Sequence, residues 1–407
     1  MQTNIVERYA NTPEGQEAEA ILRKCVHCGF CTATCPTYQL LGDELDGPRG
    51  RIYQIKDILE GGEATPEVQT HLDRCLTCRS CETTCPSGVD YGRLADIGRK
   101  LVEEEVGRSW SERLIRQALI AVIPNRRLFG TLLKLGQWTR PILPGAIKKK
   151  VPAPSQGGVW PAARHARRML VLEACAQPSA TPNVNRAAAR VLDRLGISLV
   201  AAQEAGCCGA VAHHLSDHEK SHVAVKRNID AWWPMIEAGA EAIVITASGC
   251  GVMVKEYGHL LANDPEYADK AKRVSELCKD LSEVLSAEKL TDLKVRNPGT
   301  VAFHSPCTLQ HGQKLLGVPE KVLRDLGFEL KPVADSHLCC GSAGTYSILQ
   351  PDLSRRLLKQ KVTALESTGA PTIATANVGC QLHLSTGANT PVRHWIELVD
   401  AAINGSN

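Results

Sequence analysis

At 407 residues, with 43% hydrophobic residues and a formal net charge of +3, the chain is sized for two or three domains, each with its own core, and lies outside the disordered and fibrous classes. No apolar run approaches the roughly eighteen residues needed to span a bilayer, so any membrane attachment is expected to be peripheral. No nucleic-acid partner is expected. The N-terminus MQTNIVERYANTPEGQEAEAIL lacks a basic start and an apolar stretch, so the 17 cysteines are read as reduced or metal-bound thiols in the cytoplasm rather than disulfides.

In chain order, Thr12-Pro13-Glu14 opens a helix that delivers Cys25. There follow Cys25-Val-His-Cys28-Gly-Phe-Cys31-Thr-Ala-Thr-Cys35-Pro36 and then Cys75-Leu-Thr-Cys78-Arg-Ser-Cys81-Glu-Thr-Thr-Cys85-Pro86, one spacing used twice. That spacing is the bacterial ferredoxin signature, in which three cysteines wrap one [4Fe–4S] cube and the fourth reaches the other. It assigns Cys25, Cys28, Cys31 and Cys85 to cluster A, and Cys75, Cys78, Cys81 and Cys35 to cluster B. A pair of zinc knuckles is the rival, though zinc seldom needs three evenly spaced thiolates and a fourth just beyond. Between the sets, Ile52, Ile55, Ile58 and Leu59 mark a helix ended by Gly61-Gly62, and another is expected from Tyr91 to Glu105. The domain 1–106 is therefore read as an all-α ferredoxin-type 2×[4Fe-4S] domain.

Residues 107–150 carry ten basic side chains (Arg108, Arg113, Arg116, Arg126, Arg127, Lys134, Arg140, Lys148, Lys149, Lys150) against Glu112 alone. With Leu/Ile positions, Phe129 and Trp138 interleaved, this stretch is either a basic amphipathic surface for anionic lipid or a connector packed on protein, broken by Pro124, Pro141 and Pro144. VPAPSQGGVWPA, 151–162, reads as a linker, so 107–165 is the connector as a whole.

The remainder repeats. In copy one (166–263) 31 residues separate Cys175 from Cys207, and in copy two (298–407) 31 separate Cys307 from Cys339. Each copy has a Cys-Cys-Gly, at Cys207-Cys208-Gly209 and Cys339-Cys340-Gly341, and a later cysteine, Cys250 or Cys380. Val191-Leu-Asp-Arg-Leu-Gly196 matches Val322-Leu-Arg-Asp-Leu-Gly327. Strand-like runs alternate with helices, predicting α/β domains with parallel sheets, so the full class is α+β multidomain. Ligands of such sheets bind beyond the carboxyl ends of the strands, where Cys175, Cys207, Cys208 and Cys250, or Cys307, Cys339, Cys340 and Cys380, fall as candidate cluster ligands or redox thiols. Residues 264–297 read as a helical connector, with Cys278 a small core residue. His213, His214, His304 and His337 are read as polar surface and are not site candidates.

These repeats resemble the cysteine-rich CCG domain that heterodisulfide reductase shares with several respiratory oxidoreductases. A ferredoxin domain followed by two CCG domains resembles the iron–sulfur subunits of glycolate oxidase and of anaerobic glycerol-3-phosphate dehydrogenase. The run from Cys25 to Arg51, CVHCGFCTATCPTYQLLGDELDGPRGR, is similar to the former. The resemblance implies an electron-transfer subunit passing electrons from FAD-containing glycolate oxidase subunits, which turn glycolate into glyoxylate, toward quinone or another membrane acceptor. It also implies a position at the inner face of the cytoplasmic membrane. In heterodisulfide reductase the motif ends in C-x-x-C; here Ala247 and Asn377 replace the first cysteine of that pair, which argues against a thiol/disulfide reductase. One or two additional Fe–S clusters at the CCG repeats stay open, as does the same relay serving lactate or glycerol-3-phosphate. No G-x-G-x-x-G follows a strand and no Walker loop occurs, so no FAD or NAD is expected on this chain and no catalytic residue is assigned.

Overall fold

The computed structural model describes residues 1–405. The chain forms two compact units: residues 1–117 with 337–361, and residues 118–336 with the chain from 362 onward.

The first unit is helical over residues 1–117. Helices Pro13–Lys24, Pro36–Leu41, Pro48–Leu59 and Pro66–Asp73 each begin on proline, whose fixed φ suits the first turn and whose missing N–H is not needed there. Thr12 caps the first of them, its Oγ1 accepting from the Gly15 amide at 3.0 Å. Pro36 therefore opens a helix directly behind Cys35. The helix after the last cysteine runs Tyr91–Val106. Ile21, Leu22, Ile55, Ile58, Leu72 and Leu94 form the core. Gly98 lets two helices touch, since a Cβ there would meet Ile55 Cγ1 at 2.5 Å.

The basic stretch is carried mainly by helices Trp110–Val122 and Arg126–Thr139, interrupted around Pro124, with the short helix Gly145–Lys148 after them. Its cations are not all solvated. Arg108 and Arg116 both pair with Asp73, and Arg126 Nε donates to the Ala174 carbonyl at 2.6 Å. Residues 151–162 carry neither helix nor strand, although the Trp160 indole donates to the Leu199 carbonyl at 3.0 Å.

The second unit contains two four-stranded, all-parallel sheets. Strands β1 (Arg167–Val171), β2 (Ile197–Ala201), β3 (Ile243–Ile245) and β4 (Cys278–Asp280) lie in the order β2-β1-β3-β4. Strands β5 (Thr300–His304), β6 (Glu329–Lys331), β7 (Ile373–Thr375) and β8 (Val392–His394) repeat that order as β6-β5-β7-β8. In register, Arg167 pairs with Ile197, Leu170 with Ile243, and Ile243 with Cys278; the second sheet sets Ala302 against Ile373. Leu170, Val171 and Ile243 to Ile245 are all buried, as strands covered on both faces must be.

The segment 264–297, expected as a helical connector, instead completes the first sheet. Cys278 is buried as expected, but as the first residue of β4. Helix Leu281–Ala287 follows β4 as helix Trp395–Asn404 follows β8. Both junctions are capping boxes, Asp280 with Glu283 and His394 with Glu397. Each repeat is therefore one strand–helix pair longer than its cysteine pattern shows. A single core joins the copies: Val171, Leu192 and Leu285 pack in one cluster with Phe303, Leu323 and Trp395. His394 Nε2–H donates across it to the Thr246 carbonyl at 2.9 Å.

Candidate functional site

The two ferredoxin-type loops share an uncommon backbone. His27 and Gly29 in the first, and Thr77 and Arg79 in the second, all have positive φ (54°, 85°, 50° and 59°). A β-branched threonine in that region is strained, and such strain persists only where the surroundings enforce it. Two left-handed residues per loop curl the backbone around its three sulfurs. Short helices Phe30–Ala33 and Ser80–Thr84 then carry the chain to the fourth cysteine.

The thiols form two groups. One cavity is lined by Cys25, Cys28, Cys31 and Cys85, a second by Cys35, Cys75 and Cys78, and Cys81 lines both. Tyr91 and Pro48 border both. Burial pushes the Cys31 thiol up to about 11, and the adjacent Cys25, Cys85 and Cys28 add to the effect. Cys81 is driven well above the ordinary thiol value by burial, then by Cys78, Cys75 and Cys35. Among the described residues no three of these eight sulfurs lie within 4.8 Å of one another. Zinc at about 2.3 Å from each sulfur would draw them closer than that. Wide rings of mutually repelling thiols fit a larger, positively charged guest such as an iron–sulfur cube, which supplies one-electron redox chemistry when bound.

The second group sits among cations that the cysteine spacing did not reveal. Burial raises the Cys75 thiol, but Arg51, Arg99, the Tyr91 hydroxyl and the Thr77 amide outweigh it and hold Cys75 below the ordinary value. The Tyr91 hydroxyl lies 3.6 Å from Cys75 Sγ and the Thr77 amide 3.4 Å. Arg99 donates to the Cys75 carbonyl at 2.6 Å. Arg51 is buried against Asp46 (3.3 Å), and Arg74 holds the other Asp46 oxygen at 2.9 Å. This pairing lets a guanidinium stay charged beside the sulfurs with almost no water. Hydrogen bonds and cations of this kind tune a cluster's potential.

In the first repeat the four cysteines also meet, at the carboxyl ends of β1, β2 and β3. Cys175 and Cys208 both hydrogen-bond Cys207, and Cys208 also bonds Cys250. The Cys207 thiol is held well below its usual value by the bonds from Cys175 and Cys208, against its burial, with the Gly209 amide and Arg227 helping. Cys175 and Cys208 are raised correspondingly. Behind them Asn228 Nδ2 donates to the Cys207 carbonyl at 2.9 Å and the Tyr257 hydroxyl to the Cys208 carbonyl at 2.9 Å. Gly209 (φ 92°) is required by packing on helix His218–Glu237, since a Cβ would come within 3.2 Å of the Ser221 carbonyl.

In the second repeat Cys307 opens the π-helical turn Thr308–Gly312 after β5, and Cys380 lies on helix Val378–Gly387 after β7. Cys339 and Cys340 belong to the other compact unit, with residues 337–361. The missing C-x-x-C positions are filled differently. Ala247 is buried, while Asn377 Nδ2 lies 3.4 Å from Cys380 Sγ, a donor where a thiol would stand. His213 and His304 are buried, not the polar surface expected of them; His214 is exposed, as expected. The His213 ring packs edge-on against those of His214 and His218, at 5.5 and 5.1 Å.

Two domain families match the chain. A 4Fe-4S dicluster domain covers residues 21–89, and a cysteine-rich (CCG) domain covers 169–255 and again 301–385. The glycolate oxidase iron–sulfur subunit of Escherichia coli K12 is 59% identical over 404 residues, 99% of each chain. The chain belongs to the glycolate oxidase iron–sulfur subunit family. A probable member from Bacillus subtilis 168 is 30% identical over 406 residues, 91% of this chain and 89% of that one. Lactate utilization protein A of Geobacillus thermodenitrificans NG80-2 is 30% identical over 207 residues, 50% of this chain and 83% of its own. The family match and the two sulfur rings make this an iron–sulfur protein with a dicluster domain.

Proposed function

We propose that this chain is the electron-carrying subunit of a glycolate-oxidising complex. A flavoprotein partner takes two electrons from glycolate, giving glyoxylate, and this chain conveys them one at a time toward a membrane acceptor, quinone. Cys25, Cys28, Cys31 and Cys85 would hold one [4Fe–4S] cluster, and Cys75, Cys78, Cys81 and Cys35 the other. The thiols of the CCG repeats would take further iron–sulfur centres. Arg51 and Arg99 offset the negative charge that a reduced cluster places beside Cys75, and Tyr91 excludes water between the two cavities. The observation that carries this reading is the division of eight thiols into two rings, in a chain 59% identical to a glycolate oxidase iron–sulfur subunit.

The likeness to lactate utilization protein A covers half of this chain, so glycolate is the favoured donor. Purification of the tagged chain with its flavoprotein tests the choice. Glycolate, in preference to lactate or glycerol-3-phosphate, should reduce the flavin and the electron-spin-resonance-active clusters. Reduction by lactate alone would refute it.

We also place the complex at the inner face of the cytoplasmic membrane. Helix Arg126–Thr139 leaves Leu128, Leu132, Leu135 and Trp138 exposed along one face, with Arg127 and Lys134 beside them. Such a stripe suits an anionic lipid surface.

A further inference from the structure

Within the first compact unit, residues 337–361 of the second CCG repeat lie against the dicluster domain, and two polar contacts show where. The Tyr346 hydroxyl donates to the Arg74 carbonyl at 3.0 Å, and Arg356 Nη2 donates to the Leu40 carbonyl at 2.6 Å. Arg74 immediately precedes Cys75. Leu40 lies in helix Pro36–Leu41, whose N-cap is Cys35. Both contacts therefore fall on segments that carry thiols of the second sulfur ring.

The same segment carries the Cys339-Cys340-Gly341 motif. Gly341 has φ 88°, and its carbonyl accepts from Ser354 Oγ at 2.8 Å, which ties the motif to helix Pro351–Glu366. A Cβ on Gly341 would reach the Ser354 carbonyl at 2.7 Å, so the tie leaves no room to shift. Tyr346 is buried, and its amide donates to the Ala343 carbonyl at 3.1 Å, two residues beyond Gly341 of the motif.

We propose that the ring of Cys35, Cys75, Cys78 and Cys81 is the outlet of the dicluster domain toward the second CCG repeat, with Tyr346 the positioning residue that couples it to Cys339. This rests on the reading that both sulfur rings hold clusters. Each step moves one electron and no proton: the reduced cluster at Cys75 is oxidised, and an iron–sulfur centre ligated through Cys339, the acceptor by chemical class, is reduced. The route runs through the Tyr346 side chain, its hydrogen bond to the Arg74 carbonyl, and the peptide joining Arg74 to Cys75. It follows that electrons enter the domain at the other ring, where Cys28 is exposed.

The test is an electron-spin-resonance redox titration of the anaerobically purified complex carrying Tyr346→Phe or Tyr346→Leu. Arg99→Lys, beside Cys75, and Arg49→Lys, beside Cys31, identify the two cubane signals. The Tyr346 variants should shift the midpoint of the signal that Arg99→Lys shifts, and leave in place the one that Arg49→Lys shifts. Two unmoved signals, or movement of the Arg49-marked one, would overturn the proposal. If Tyr346→Leu loses iron, Tyr346→Phe decides, because it keeps the ring and removes only the bond to Arg74. Absence of cubane signals from the unaltered complex would overturn the underlying reading instead, and with it this one.

Discussion

The dicluster rings and the first CCG pocket each gather four cysteines, yet the two arrangements solve opposite problems. In the dicluster domain the sulfurs stand apart around open cavities, and burial with mutual repulsion pushes Cys31 and Cys81 above the ordinary thiol value. In the first repeat the sulfurs touch: Cys175 and Cys208 give hydrogen bonds to Cys207, whose charge they stabilise. A ring of the first kind needs a positive guest to hold its shape, because ligands must be deprotonated and brought together at once. A pocket of the second kind can fold on its own hydrogen bonds before any guest is taken up. The lesson is that cysteine number does not decide whether folding depends on metal; the spacing of the sulfurs does.

Two substitutions sharpen this contrast, the larger effect first. Cys81→Ser should remove about four irons per chain, one cube's worth, and abolish the melting transition of the dicluster domain. Cys207→Ser should leave the transition of the α/β repeats within about 1 kcal/mol of the original, since a hydroxyl still accepts the neighbouring hydrogen bonds. Calorimetry with iron analysis reads both. Equal loss of stability in the two variants would erase the distinction.

The next effect concerns pH and the seam between the repeats. His394 is buried, and its pKa is lowered to about 4, first by burial, with the bond to the Thr246 carbonyl acting against it. The folded state thus takes up its proton less readily than the unfolded chain, so stability is lost as pH falls from about 6.5 toward 4. The change from this one group is on the order of 3 kcal/mol at most. His394→Asn keeps an acceptor for the Ile396 amide and should flatten the pH dependence of the repeats' melting temperature between pH 7 and 5. An unchanged slope would exclude His394 as its source.

Asp280 occupies the same junction in the first repeat and has the opposite sign. Burial raises it to about 6, and its Oδ2 has no hydrogen-bond partner among the described residues. Stability is therefore lost as pH rises from about 4 to 6, where the buried carboxyl must ionise. Asp280→Asn should stabilise the repeats at pH 7 by on the order of 1 kcal/mol. A lower melting temperature at pH 7 would contradict this assignment.

For the proposed lipid contact, Arg127→Glu with Lys134→Glu should reduce co-sedimentation of the complex with anionic vesicles. The expected loss is about 1 kcal/mol for each cation near the surface, and binding that stays the same would remove the lipid role. Arg126 is not a suitable partner in that variant, because it holds the Ala174 carbonyl beside Cys175.

Much of this was legible in the sequence where the chemistry is local. Three cysteines at two-residue intervals specify a cluster loop by themselves, and the equal 31-residue intervals exposed the repeat. The strands β4 and β8 were not legible: three residues each, Cys278-Lys-Asp280 and Val392-Arg-His394, they have no hydrophobic run to betray them. Nor does any spacing rule bring Arg51 and Arg99 to Cys75, or place residues 337–361 with the dicluster domain, because those contacts are set by packing between distant segments. The burial of His213 and His304 was missed for the same reason. Nor does the sequence show what the glycine of each Cys-Cys-Gly packs on: at Gly209 and Gly341 the close neighbour is a helix of the protein itself.

The most direct test of the relay is iron, acid-labile sulfide and zinc per chain, on the complex purified anaerobically, with and without serine at Cys175, Cys207, Cys208 and Cys250. The account predicts that at least about eight irons and eight sulfides survive the four serines, because each dicluster ring holds a four-iron cube and the second repeat keeps its own cysteines. Zinc at about two per chain, with little iron or sulfide, would show that the rings are knuckles and would contradict it.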